Sequence, residues 1–97
     1  MHKRYSRATL DKIRKSTSLL KIIKFYTDVY GDGRNRGTCP FHQDKNPSLS
    51  INDERGLWHC FGCGKGGDIF SFMMEKKNIS FPDAVKLLAS KAGIRLP

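Results

Sequence analysis

Apolar positions near the start of the chain recur with the spacing of amphipathic helices. Ser6 is a candidate N-cap for a first helix that ends near Lys15, with Leu10 and Ile13 on its buried face. A second helix follows over about Leu19–Phe25, after a polar break that supplies another cap. The pattern therefore predicts two short helices at this end of the chain.

Two more helices are predicted in the last third. Asp68 lies where its carboxylate would favour the N-terminus of an unusually apolar helix over about Ile69–Lys77. Ser80 opens a last helix that runs to about Lys91, and Gly93 is its expected C-cap. We expect the apolar helix to pack on a sheet or on a partner domain.

The middle of the chain alternates with the two-residue period of strands. Short polar or glycine-containing turns separate the segments, so we expect antiparallel hairpins. The predicted strands cover Tyr26–Tyr30, Arg34–Thr38, Ser48–Ile51 and Leu57–Cys60. The resulting fold class is α+β: a small antiparallel sheet with flanking N-terminal and C-terminal helices.

Two pairs of metal-ligand residues lie at the ends of these hairpins. Cys39 and His42 are separated by two residues, as are Cys60 and Cys63, which is the spacing of a structural zinc site. Four protein ligands leave no open position for water or substrate, so one structural Zn²⁺ is predicted. His59 is the rival ligand, but neighbouring strand residues face opposite sides, so it should point away from the metal of Cys60.

The length of 97 residues suits one small domain that gains stability from a metal. We expect a single zinc-binding domain over 1–97, with a flexible basic arm (1–5), helices (6–25), the zinc ribbon (26–66) and further helices (67–97). Three cysteines in two knuckles suit a reducing compartment. No apolar run resembles a signal peptide or a membrane span, so a cytoplasmic location is expected.

The charge is strongly basic, with a formal net charge of +9. The excess is uneven: the first 36 residues hold ten Lys/Arg and three Asp, for a net charge of +7. Such a domain favours a polyanionic partner, most often a nucleic acid. No dense cluster of Asp and Glu suits two-metal phosphoryl transfer, so the chain alone is not expected to be an enzyme.

The zinc-binding motif resembles that of a known family, the N-terminal zinc-binding domain of bacterial DnaG-type primases. The resemblance rests on Cys39-Pro-Phe-His42, Lys45-Asn-Pro47-Ser48, Trp58-His-Cys60-Phe-Gly-Cys63-Gly and Gly66-Gly67-Asp68, and it covers nearly the whole chain. It implies a role in DNA replication, in a parent protein that makes RNA primers on a single-stranded template beside the replicative helicase. The implied partners are the template, a separate catalytic nucleotidyltransferase domain and, indirectly, the helicase. Pro97 falls where a linker to that domain would begin.

The resemblance also implies a DNA-contacting face. Arg34, Lys45 and Arg55 lie in loops or at strand ends and match its basic positions, and Arg36 and Lys65 are further candidates. Aromatic rings can stack on bases. Trp58, His59 and Phe61 are the candidates, although Trp58 and Phe61 could instead pack around the metal.

A second function class stays open on the sequence alone. The chain could be a protein-interaction zinc ribbon that docks a catalytic domain or a replication partner through the apolar segment Ile69–Met74. The two classes differ in their response to salt, because phosphate binding weakens steeply as salt is added and apolar docking does not.

Overall fold

A five-stranded sheet and four helices make up the part of the chain that the computed structural model describes, which is residues 5–31, 35–41 and 48–96. The helices are α1 (Arg7–Ser16), α2 (Leu19–Tyr26), α3 (Ile69–Lys77) and α4 (Phe81–Ala92). The strands are β1 (Val29–Gly31), β2 (Asn35–Gly37), β3 (Leu49–Asn52), β4 (Leu57–Cys60) and β5 (Gly66–Gly67). The predicted α+β class is confirmed. Within the described ranges, no helix is long and apolar enough to cross a bilayer.

The sheet is an antiparallel meander in which each strand pairs with its neighbour in sequence, from β1 to β5. The sequence pattern does not predict the fifth strand, which lies at Gly66 and Gly67. Two glycines carry no side-chain alternation, so no strand signal exists there. The pairing arises when the turn after β4 folds back and the Cys60 N–H donates to the Lys65 carbonyl at 2.7 Å.

The prediction that a strand begins at Tyr26 is wrong, because Tyr26 is the last residue of α2. The Thr27 N–H donates to the Ile23 carbonyl at 3.0 Å and closes one more helical turn. The Tyr26 ring then packs against Phe72 of α3, with ring centroids 5.9 Å apart. This long-range contact fixes the helix end, and β1 begins only at Val29.

One face of the sheet forms the core with the helices. Leu49 and Ile51 of β3 and Trp58 and Cys60 of β4 are buried, and the residues between them are more exposed. Four apolar residues of α3 (Ile69, Phe70, Phe72 and Met73) are buried in the same cluster, and Met74 is partly buried against it. The interpretation of α3 as a helix packed on the sheet is therefore confirmed, and these buried side chains are not available to dock another protein.

Asp68 joins three parts of the fold. Its carboxylate caps α3 by accepting from the Ser71 N–H at 2.9 Å, and it accepts from Arg14 of α1 at 3.0 Å. Its backbone carbonyl accepts from the Trp58 indole N–H at 2.8 Å. Burial alone would raise the pKa of Asp68, but the hydrogen bonds from Ser71 and Arg14 outweigh it and hold the pKa below its ordinary value.

We expect Asp68→Ala to lower the free energy of unfolding at pH 7 by about 0.5–2 kcal/mol, as for the loss of other N-caps. Because the folded-state pKa is depressed, the charge contributes stability above about pH 4 and loses that contribution as the pH falls through the folded value. The difference between wild type and variant should therefore shrink in acid, measured by denaturant unfolding in excess zinc. Asp83→Ala, which removes an exposed acid from the first turn of α4, is the matched control. Equal losses for both variants at pH 7 would contradict this role of Asp68.

Candidate metal centre and sheet face

Three cysteine thiols converge at one end of the sheet. Cys39 follows β2, Cys60 ends β4 and Cys63 lies in the turn after it. Their sulfur atoms all lie within 4.8 Å of one another, and the Sγ atoms of Cys39 and Cys63 are 3.8 Å apart. Two thiolates bound tetrahedrally to one zinc at about 2.3 Å would be about 3.8 Å apart, whereas disulfide sulfurs are about 2.0 Å apart. The thiol cluster therefore fits a structural zinc ion.

The site needs a cation to hold its thiolates. Burial, followed by the neighbouring Cys60 and Cys63 thiols, raises the pKa of Cys39 to about 12 in the metal-free protein, and the Phe41 N–H acts in the opposite direction. Zn²⁺ provides the charge that stabilises deprotonated sulfur in such a site. The knuckle is closed by Gly64, whose N–H donates to the Cys60 carbonyl at 2.8 Å and whose φ of +79° favours glycine.

The two histidine candidates differ in what the structure shows. The expectation that His59 points away from the metal is confirmed. His59 is exposed on the side of the sheet opposite the core, whereas Cys60 is fully buried on the core side. The other predicted ligand, His42, lies outside the described residues and stays a prediction.

The outer face of the sheet presents one continuous row of residues. Strand pairing sets them side by side across all five strands: Tyr30, Arg36, Ser50, His59 and Gly66. Tyr30 is 55% exposed, and both Arg36 and His59 are exposed. The register therefore brings two rings and a guanidinium onto one open surface.

Phe61 extends this row beyond the end of β4. Its N–H donates to the Ser48 carbonyl at 2.9 Å, and its ring is 65% exposed. The ring centroids of Phe61 and His59 are 4.7 Å apart in an edge-to-face arrangement, and the guanidinium carbon of Arg36 is 5.8 Å from the Phe61 centroid. Gly66 allows this packing, because an added Cβ would lie 2.9 Å from His59 Nδ1. We call Tyr30, Arg36, Ser50, His59 and Phe61 the outer sheet face.

The other predicted DNA contacts are dispersed. Arg55 is exposed in the turn between β3 and β4. Lys65 forms an ion pair with Glu75 at 2.8 Å, and this hydrogen bond raises the pKa of Lys65. Arg34 and Lys45 lie outside the described residues. Of the basic candidates within the described part of the chain, only Arg36 lies among the exposed aromatic rings.

The structure distinguishes between the two alternatives that the sequence leaves open for Trp58 and Phe61. Trp58 is 3% exposed and packs against Phe41 and Phe72, with ring centroids 5.3 and 5.6 Å away, so its ring cannot stack on a base. Phe61 does not pack around the metal but lies exposed beside His59. Tyr30 was not selected from sequence. Strand alternation from the buried Cys60 indicates the outward position of Phe61, but placing Tyr30 beside Arg36 requires the β1–β2 register.

A small antiparallel sheet with three cysteines converging at one end and a helical core behind it defines a zinc ribbon. The sequence profile of the CHC2 zinc finger, the DnaG zinc ribbon, matches residues 5–97, so the chain belongs to this family. The recognition of this family from the cysteine motif is confirmed.

Proteins named DNA primase are among the relatives. The chain is 42% identical to the DNA primase of Geobacillus stearothermophilus over 97 residues, which cover 99% of this chain and 16% of that protein. It is 40% identical over 98 residues to the DNA primase of Halalkalibacterium halodurans, again over 16% of that protein. It thus spans about one sixth of the length of these relatives.

A solved structure shares the fold. The crystal structure of the Aquifex aeolicus primase, described as its zinc binding and RNA polymerase domains, matches with a TM-score of 0.83 and 32% sequence identity. The match covers 92% of this chain and 22% of that one.

Proposed function

We propose that this zinc ribbon is the template-binding module of a DNA primase and that it binds single-stranded DNA on its outer sheet face. The observation that carries the proposal is the juxtaposition of exposed Tyr30, His59 and Phe61 with the Arg36 guanidinium on one side of the sheet. Proteins that bind single strands use aromatic rings for the bases and cations for the backbone.

In this proposal the inner face of the sheet stabilises the fold and the outer face binds DNA. The inner face carries Leu49, Ile51 and Trp58 into the core, and the zinc cluster fixes the ends of β2 and β4. The backbone beneath the exposed rings is therefore held in place before DNA binds, which lowers the entropy lost on binding. The metal acts on structure and does not touch the DNA in this account.

The names of the relatives and the charge of the chain support the same reading. Relatives that match nearly all of this chain are named DNA primases, and the net charge of +9 favours a polyanion. In the proposed parent protein, a separate nucleotidyltransferase domain makes the RNA primer, and this module helps to select the start site on the template. The replicative helicase is an indirect partner. Arg34, Lys45 and Arg55 remain proposed contacts to the backbone beside the sheet face.

The proposal is tested by fluorescence anisotropy of zinc-loaded protein with labelled single-stranded DNA at increasing salt. Each neutralised phosphate contributes about 0.7 to the slope of log affinity against log salt, so four contacts from Arg34, Arg36, Lys45 and Arg55 predict a slope of about −3. Arg34→Ala with Lys45→Ala should reduce its magnitude by about 1.4. A protein that contains zinc but does not bind DNA at low salt would refute the proposal.

A protein-docking role is the second candidate, and one observation favours it. Phe25 on α2 is 80% exposed, the highest exposure of any large apolar side chain among the described residues. Docking through Phe25 would give an interaction with a protein partner that changes little with salt. The segment first considered for docking, Ile69–Met74, does not support this candidate because most of its side chains lie in the core.

A further inference from the structure

A groove lined with cations lies at the end of the β3–β4 hairpin. It has a volume of about 650 Å³ and is bounded by the connection between α1 and α2, the hairpin turn and the end of α4. Five basic side chains line it, contributed by these separate parts of the fold: Arg14, Lys15, Lys21, Arg55 and Lys91. Neither the zinc centre nor the outer sheet face includes Lys15, Lys21 or Lys91.

One of these five cations, Arg14, forms ion pairs with carboxylates of the described residues. Arg14 pairs with Asp11 and Asp68, each at 3.0 Å. For the other four, no carboxylate within the described ranges lies at ion-pair distance. The groove thus gathers four positive charges that form no ion pair within the described residues, on a surface open to water, where a polyanion would relieve their mutual repulsion.

Two carboxylates also line the groove, and one of them is already satisfied. Asp53 accepts from the Ser18 hydroxyl at 3.0 Å and from the Leu20 N–H at 3.0 Å, so it supports the N-terminus of α2. The Asp53 carboxylate therefore interacts with the N-terminus of α2. Glu54 is the other acidic residue that lines the groove, which also has four cations without an ion pair in the described part of the chain.

The groove shares lining residues with a hollow on the outer sheet face. A hollow of about 380 Å³ above β2 and β3 includes Arg36 and Ser50 and reaches Asp53 and Glu54, which also line the groove. A second hollow, above β4 and β5, shares Ser50 and Asn52 with the first and includes His59. Shared lining residues thus link the hollow at His59 to the hollow at Arg36, and the hollow at Arg36 to the groove around the hairpin turn.

We propose that the groove holds the phosphate backbone of the same single strand after it leaves the outer sheet face. Bases stack on the rings of the sheet, and the next phosphates lie among Lys15, Lys21, Arg55 and Lys91. This proposal rests on the proposed function, and it assigns the module a longer footprint than the sheet alone provides. An alternative role for Lys15 and Lys91, each in the last turn of its helix, is to stabilise the helix dipole.

The test compares short and long oligothymidylates, of about 6 and about 16 nucleotides, within the range that single-strand-binding folds occupy. The groove variant carries Lys15→Ala, Lys21→Ala and Lys91→Ala. It should bind the short strand nearly as the wild type does. With the long strand, the loss of three phosphate contacts should reduce the magnitude of the salt slope by about 2.

The matched control removes three exposed cations that do not line the groove: Lys24→Ala, Lys86→Ala and Arg95→Ala. It has the same net charge as the groove variant. Melting curves of both variants check that the fold is kept, which also tests the helix-dipole role. If both variants weaken long-strand binding equally, the groove proposal is wrong, while retained short-strand binding leaves the sheet-face proposal standing. Failure of the wild type to bind either strand would overturn both.

Discussion

Removal of zinc should unfold the domain. Zinc binding supplies about 10–16 kcal/mol in small zinc-binding peptides at pH 7, whereas a whole small domain is typically stable by only about 5–15 kcal/mol. Cys39 and Cys60 are themselves part of the buried cluster that includes Leu49 and Trp58. Chelation would remove the ion that holds these buried thiols together. We expect the resulting loss of structure to extend through the core that they share with Leu49 and Trp58.

Trp58 makes this prediction easy to measure, because it is the one tryptophan of the chain and is 3% exposed. Its fluorescence should shift to longer wavelength after chelation, far-ultraviolet circular dichroism should lose helix and sheet signal, and added Zn²⁺ should restore both. Mg²⁺ should not. Native spectra and an unchanged melting curve in protein shown to be free of zinc would contradict the account.

The same assay distinguishes the two histidines. His42→Ala should weaken zinc retention against a competing chelator. His59→Ala should leave it unchanged, because His59 lies on the opposite face from Cys60. Equal zinc retention by the two variants would argue against His42 as the fourth ligand.

Removal of the exposed rings from the sheet should nearly abolish DNA binding. A stacked base is worth about 1–3 kcal/mol, so Tyr30→Ala with Phe61→Ala should cost about 2–6 kcal/mol of binding free energy, or at least about 30-fold in affinity. Both rings are more than half exposed, at 55% and 65%, so truncation should have little effect on folding. Anisotropy at fixed low salt measures the loss.

Phe25→Ala is the matched control for this experiment. It removes a ring that is even more exposed, at 80%, but that belongs to α2 and not to the outer sheet face. We expect DNA binding to be unchanged in this variant. Loss of binding in Phe25→Ala, with full binding in the Tyr30 and Phe61 variant, would place the DNA on the helical side and contradict the proposed face.

Local sequence signals were sufficient for much of this fold. The two-residue spacing of the metal-ligand pairs indicated the metal site, and the serine and aspartate caps indicated where the helices begin, because both depend on residues close together in the chain. Asp68 at the start of α3 and Gly93 at the end of α4 were predicted in this way. The outward position of His59 followed from the alternation of β4.

Features that depend on distant contacts were not predictable in the same way. Tyr26 remains helical because it packs against Phe72, and Trp58 is buried because its indole meets Asp68 and the rings of Phe41 and Phe72. The alternation of side chains along β4 predicts that Trp58 and His59 lie on opposite faces of the sheet. It does not show whether other side chains cover the ring of Trp58. The lysines of the groove come from three separate elements. The sequence therefore shows an excess of positive charge but not where on the surface the basic side chains lie together.

The most direct measurement is an amide chemical-shift titration of the zinc-loaded protein with a short oligothymidylate. The account predicts that the largest shifts fall on Tyr30, Arg36, Ser50, His59 and Phe61, with small shifts on α3 and α4. Large shifts confined to the helices, or no shifts at concentrations where anisotropy shows binding, would contradict the claim that the outer sheet face is the template-binding surface.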